Sequence, residues 1–147
     1  MFWTLAAFFH LIFKIYFSGD VQPVTLCILP LYHIYALNVT MTSTLHIGGQ
    51  LVMLPKFEPK SFINALEKYK PTFLHLAPPL LAFCADHEGV RPDALKQMHH
   101  VMTAAAPTGA TLVKRFQKKV PGCLVKEGMY MNNVLHMSLN HSYLRFQ

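Results

Sequence analysis

Residues 50–77 read QLVMLPKFEPKSFINALEKYKPTFLHLA, and this stretch decides the fold. Gln50 to Leu54 is a short apolar run closed by Pro55, which reads as a buried strand. Pro59 stands where a helix can begin, because a first-turn proline loses no hydrogen bond. Phe62, Ile63, Leu66 and Tyr69 then recur at helical intervals, while Lys60, Glu67, Lys68 and Lys70 occupy the other face. Pro71 ends that helix, and Thr72 to Ala77 is a second buried strand. Two largely apolar strands joined by one amphipathic helix make a βαβ unit, the signature of a parallel sheet.

The same alternation extends in both directions. Val24 to Leu29 is a β-favouring run stopped by Pro30. His33 to Ile47 has helical spacing, with Ile34, Leu37, Met41 and Leu45 on one stripe, and Gly48-Gly49 ends it. Pro78-Pro79 opens a short helix through Cys84. His100 to Thr103 is a strand, Thr111 to Lys119 a helix, and Cys123 to Lys126 a last strand. The fold class expected is α/β, a mostly parallel sheet with helices on both faces.

Composition narrows the function classes. The chain has 147 residues, enough for one ordinary domain. Hydrophobic residues make up 52% and charged residues 14%, which argues against disorder and against a nucleic-acid-binding tail. Net charge is +6, with no block of five like charges. Lys114, Arg115, Lys118 and Lys119 read as a solvated face that suits the negative end of their helix. Cys27, Cys84 and Cys123 are odd in number and widely spaced, so they read as reduced, mostly buried thiols. No metal site is expected: His99 and His100 would point to opposite faces of a strand, and His136 and His141 do not align on a helix.

The ends differ from the middle. Residues 1–17, MFWTLAAFFHLIFKIYF, are apolar but shorter than a membrane span, and His10 and Lys14 interrupt them. They lack a basic start and a convincing cleavage site. A buried helix, a terminus foreign to the fold, or a membrane-contacting segment all remain open. Asn133 to Gln147 shows no clear period, and its Arg-Phe-Gln end is not a peroxisomal or reticulum address.

In parallel sheets ligands sit beyond the carboxyl ends of the strands. Four such ends carry distinctive residues: Pro30, Tyr32 and His33; Pro55, Lys56 and Phe57; Pro78-Pro79; and Ala104-Ala105-Ala106-Pro107-Thr108-Gly109. Three small residues at a strand end admit a flat group such as a purine, or else simply pack tightly. His33 reads equally as a polar gate or as a helix-capping histidine.

The order ILPLYHIYAL, GGQLVMLPKFEPKSFINALEKYKPTFLHLAPPLL, HVMTAAAPTGATLVKRFQKKVPG resembles the adenylate-forming (AMP-binding) acyl-CoA synthetases. The resemblance is to the branch of 4-coumarate–CoA ligases and luciferase-like enzymes, over about residues 24–128. It implies part of that family's N-terminal domain. It also implies acid–thiol ligase chemistry: ATP and Mg²⁺ activate a carboxylic acid as an acyl-adenylate, and the acyl group passes to CoA. His33 matches the family's LPLFH-type histidine. Ala104, Ala105, Ala106 and Pro107 match its GAAP motif. Gly128 matches the first glycine of its QGYGMTE motif, with Glu127 at the glutamine place. Together these are the expected substrate and adenylate contacts, and no residue is assigned as catalytic or metal-binding.

The carry-over is partial. EGMYMNN puts Met129 for the adenine-stacking tyrosine and Tyr130 for the second glycine. Asn132 and Asn133 replace the phosphate-binding threonine and the Mg²⁺-binding glutamate. A TSGTTGxPKG-type phosphate loop is not found before Val24, and no counterpart of the family's C-terminal lysine follows. The expectation is a partial chain, inactive as an isolated ligase, in which binding of ATP, AMP, CoA or Mg²⁺ is doubtful. The expected division is an apolar segment over 1–23, a partial adenylate-forming domain over 24–132, and a divergent tail over 133–147. The alternative is a non-catalytic truncated protein that binds a partner or a membrane. The family implies carboxylic acid substrates of fatty acid or phenylpropanoid metabolism and a cytoplasmic or peroxisomal setting. A cut-out sheet would also need the rest of the synthetase or a partner to cover it.

Overall fold

The computed structural model describes residues 22–127, 129–131 and 134–136. Five short strands form one sheet: β1 Val24–Cys27, β2 Gln50–Met53, β3 Phe73–Leu76, β4 His100–Thr103 and β5 Leu124–Glu127. Their spatial order is β2-β1-β3-β4-β5, and every pairing is parallel. A π-helix, Tyr35–Thr42, runs directly into a single α-turn, Ser43–His46; the two together are α1. The remaining helices are α2 Pro59–Tyr69, α3 Pro78–Asp86 and α4 Ala110–Lys119, with a 3₁₀ turn at Pro92–Leu95. Met129–Met131 (β6) and Val134–His136 (β7) pair antiparallel, a hairpin that the tail's lack of period does not signal.

Alternation along the strands sorts the core into two layers. Leu26, Leu74, Leu76 and Val101 face Phe62 and Leu66 of α2, Leu81 and Cys84 of α3, and Phe116 of α4, all buried in the larger cluster. Phe73 and Met102 face the other way, against Tyr35 and Val39 of α1. Three helices thus cover one face and α1 the other, as right-handed crossovers in this strand order require.

The boundaries follow local chemistry. Proline at the first position opens α2 and α3. Lys70 ends α2 in a left-handed conformation, donating its N–H to the Leu66 carbonyl, and Pro71 forbids continuation. Arg115 pairs with Asp86 at 3.3 Å, and the Lys119 ammonium donates to the His87 carbonyl at 2.8 Å. Two of the four cations on α4 therefore tie it to the end of α3.

The stripe expected on α1 faces outward. Ile34, Leu37 and Leu45 are exposed, and Met41 is half-buried. The buried face is Tyr35, Ala36, Val39 and Thr40. Apolar residues stand on both sides of this helix, so spacing alone cannot choose the inward one. Tyr35 wins because its hydroxyl donates to the Met102 carbonyl at 2.8 Å, which lets a large ring bury without an orphaned polar atom.

Candidate functional site at the carboxyl edge of the sheet

All five strands are parallel, so their carboxyl ends share one edge. The order reverses between β1 and β3: β1 leads outward to β2, and the chain then returns past β1 to place β3. Such a reversal splays the following connections and leaves a crevice for a ligand.

His33 lies in the connection after β1. Its N–H donates to the Pro30 carbonyl at 3.0 Å, closing a four-residue turn, and its own carbonyl accepts from Leu37. Its Nδ1 accepts the Tyr35 N–H at 3.1 Å, which caps the start of α1. A nitrogen that accepts carries no proton, so the neutral ring bears its hydrogen on Nε2. The ring is exposed, and this donor remains available at the sheet edge. The gate and the capping readings of His33 are therefore compatible, one for each ring nitrogen.

The second cluster follows β4. Ala104 is fully buried, and its N–H continues the sheet ladder to the Leu76 carbonyl at 3.3 Å. Ala105, Ala106 and Pro107 are exposed. Ala105 has a φ of +80°, a conformation that non-glycine residues adopt only at a cost. Local bonds hold the turn in place. The buried Thr108 hydroxyl donates to the Thr103 hydroxyl at 2.8 Å, and the Thr108 N–H donates to the Glu127 carboxylate at 2.7 Å. Directly after this turn Gly109 opens α4 with no side-chain cap, so the first N–H groups of that helix border the turn.

The two clusters are linked. β1 and β4 flank β3, about 9.6 Å apart at the usual strand spacing. The bond from Tyr35, two residues beyond His33, to Met102, two residues before Ala104, ties α1 to β4. His33 and Ala104 to Pro107 thus belong to one edge of the sheet. Gly128 lies outside the described residues. Tyr35 and Thr103 were given no role from sequence, and Thr108 and Glu127 were named there only as a strand-end residue and as the residue at the motif's glutamine place, without the bond between them. The side chains of Tyr35, Thr103 and Glu127 act on backbone atoms far along the chain, at Met102, Lys126 and Thr108, which no local spacing announces.

A profile of the AMP-binding enzyme family matches residues 2–140. The chain belongs to this adenylate-forming family. Among curated relatives, 4-coumarate–CoA ligase 1 of Narcissus pseudonarcissus is 34% identical over 86% of this chain and 23% of its own length. The 4-coumarate–CoA ligase 1 of Arabidopsis thaliana is 33% identical over the same shares of each, 86% and 23%. ATP-bound MatB from Rhodopseudomonas palustris superimposes with a TM-score of 0.72 at 24% identity, covering 86% of this chain and 24% of that one. The amide bond synthetase McbA from Marinactinospora thermotolerans gives 0.72 at 22% identity, covering 90% and 26%. The chain spans about a quarter of the length of the proteins it matches.

The three thiols of this family member are buried, and desolvation pushes Cys84 and Cys123 up to about 12. They are poor nucleophiles at neutral pH. No helix among the described residues is long and apolar enough to cross a membrane.

Proposed function

We propose that this chain forms the adenine- and acyl-facing part of an ATP-dependent acid–thiol ligase of the 4-coumarate–CoA ligase type. The observation that carries the reading is the bond from Tyr35 to Met102, which ties the helix after the His33 turn to the strand that leads into the Ala104–Pro107 turn, at the carboxyl edge of the sheet. Residues 24–132 form the adenylate-forming part, between an apolar segment over 1–23 and a divergent tail over 133–147. His33, Ala104, Ala105, Ala106, Pro107 and Gly128 are its substrate and adenylate contacts.

In the reaction a carboxylate oxygen attacks the α-phosphorus of ATP and pyrophosphate leaves. The thiolate of CoA then attacks the acyl carbon of the adenylate and AMP leaves. The small side chains at Ala105 and Ala106 allow a planar base to approach the backbone. With Nδ1 engaged by the Tyr35 N–H, Nε2 of the exposed His33 ring is the atom that can orient an acyl or phosphoryl oxygen.

Among the described residues Mg²⁺ finds no built site. No group of three His, Cys, Asp or Glu residues gathers among the described residues, so no step of this chain is routed through the metal. CoA enters through the family alone. The chain by itself supplies orientation but not the charge stabilisation that phosphoryl chemistry needs, so it does not turn over alone.

Two measurements test this. Pyrophosphate release with ATP and 4-coumarate or a long-chain fatty acid should stay at background for the 147-residue chain. The native polypeptide, detected with peptides from residues 50–120, should be well above 16.7 kDa. Acid-dependent turnover by the isolated chain would refute its incompleteness. A native mass of 16.7 kDa with no nucleotide binding would refute the ligase assignment in favour of a non-catalytic partner- or membrane-binding protein.

A further inference from the structure

We infer that Glu127 is a positioning residue: its carboxylate latches the Ala104–Gly109 turn into the shape that receives the nucleotide. The inference rests on the adenylate reading above and assigns the part that holds the turn.

The turn needs holding. Ala105 at φ +80° stores strain that a free turn would release. Its three neighbours Ala106, Pro107 and Gly109 are exposed and pack against little. Its near end is fixed by the ladder bond of Ala104 to Leu76. Its far end, Thr108, is buried and held at both polar groups, by Thr103 through the hydroxyl and by Glu127 through the N–H. Of these two bonds the one to Glu127 is charge-assisted and short, 2.7 Å. It also couples the turn to β5, because Glu127 is the residue in register with Thr103 across the sheet. Among the described residues Glu127 forms no ion pair, so its charge is spent on this N–H.

The geometry separates shape from charge. An amide oxygen at the same place can accept the same N–H, whereas an aliphatic side chain cannot. Glu127→Gln should therefore keep the turn and Glu127→Leu should release it.

The test uses the 147-residue chain and its two variants. Amide hydrogen exchange at Thr108 reports the latch, exchange at Val101 in β4 reports the sheet, and chemical-shift titration with AMP reports the site. In Glu127→Leu the Thr108 amide should exchange about tenfold faster or more, as loss of a charge-assisted bond implies, with Val101 unchanged. AMP should bind about tenfold more weakly, and Glu127→Gln should restore both to near wild type. If Glu127→Leu does not fold, Glu127→Asn, which draws the acceptor back by one carbon, takes its place in the comparison with Glu127→Gln. Unchanged Thr108 exchange overturns the latch. Faster exchange with unchanged AMP affinity shows that the bond is structural and overturns the positioning role. Absence of AMP shifts in the wild-type chain overturns the adenylate reading and the positioning role with it. The latch as a structural bond is then still decided by Thr108 exchange alone.

Discussion

Lowering the pH from 7.5 to 4.5 should cost this fold about 2 to 3 kcal/mol through one side chain, His75. His75 lies in β3 at the centre of the sheet and is 2% exposed. Its ring sits edge-on to Phe73, with centroids 4.4 Å apart, and to Tyr35 at 5.7 Å. Among the described residues its Nδ1 has no hydrogen-bond partner. Burial without a partner disfavours the charged ring and lowers its pKa from 6.5 to about 3. The sign follows directly. The unfolded chain takes up a proton near pH 6.5 and the folded chain only near pH 3, so the stability conferred by the neutral ring is complete above 6.5. It is lost progressively as pH falls toward 3. At pH 4.5 the gap is two pH units below the unfolded value, which gives about 2.7 kcal/mol. Urea unfolding at both pH values, for wild type and for His75→Phe, isolates the effect from the other titrating groups. His100, for example, is lowered to about 4 by burial first, then by Lys126 and His99. Phenylalanine keeps the edge-on packing and removes the proton site. The wild-type chain should lose about 2 to 3 kcal/mol more than the variant over this range. Equal losses in the two proteins would refute the argument.

Three other outcomes follow from packing and backbone geometry. Tyr35→Phe removes the hydroxyl bond to the buried Met102 carbonyl and should lower stability by about 1 kcal/mol in thermal unfolding, with the far-ultraviolet spectrum unchanged. Ala105→Gly relieves the positive φ and should be neutral or stabilising by up to about 1 kcal/mol; a clear destabilisation would show that the turn is not strained there. Phe116→Ala empties a fully buried ring site beneath α4 and should cost about 3 to 5 kcal/mol in denaturant titration.

The elements legible in the sequence were those whose local signals agreed. Pro59 and Pro71 bracket α2, and an apolar stripe lies between them, so spacing and punctuation coincide with the observed Pro59–Tyr69. β4 occupies His100–Thr103 as its run of residues suggests. β1 stops at Cys27 rather than Leu29, with Ile28 and Leu29 leading out of the ladder to the Pro30–His33 turn. The inward face of α1 was not legible, since a single long-range bond from Tyr35 decided it. The 3₁₀ turn at Pro92–Leu95 is too short to carry a period. The candidate site divides in the same way. His33 and the alanine run stand out as residue types, whereas Thr108 and Glu127, 19 residues apart, meet only through the register of β4 and β5.

The strand order also governs when the sheet can close. β1 is made first but lies inside, and the seam between it and β3 joins residues 48 apart, as in the bond from the Thr25 hydroxyl to the Phe73 carbonyl. Closing a loop of that length costs roughly 3 kcal/mol of chain entropy before any contact compensates. During synthesis, among the described strands Val24–Cys27 has no partner until Gln50–Met53 emerges, and only one until Phe73–Leu76 follows. β1, which ends up inside the sheet, thus keeps one side open until β3 arrives. Its protection on the ribosome depends on how quickly the next fifty residues are delivered.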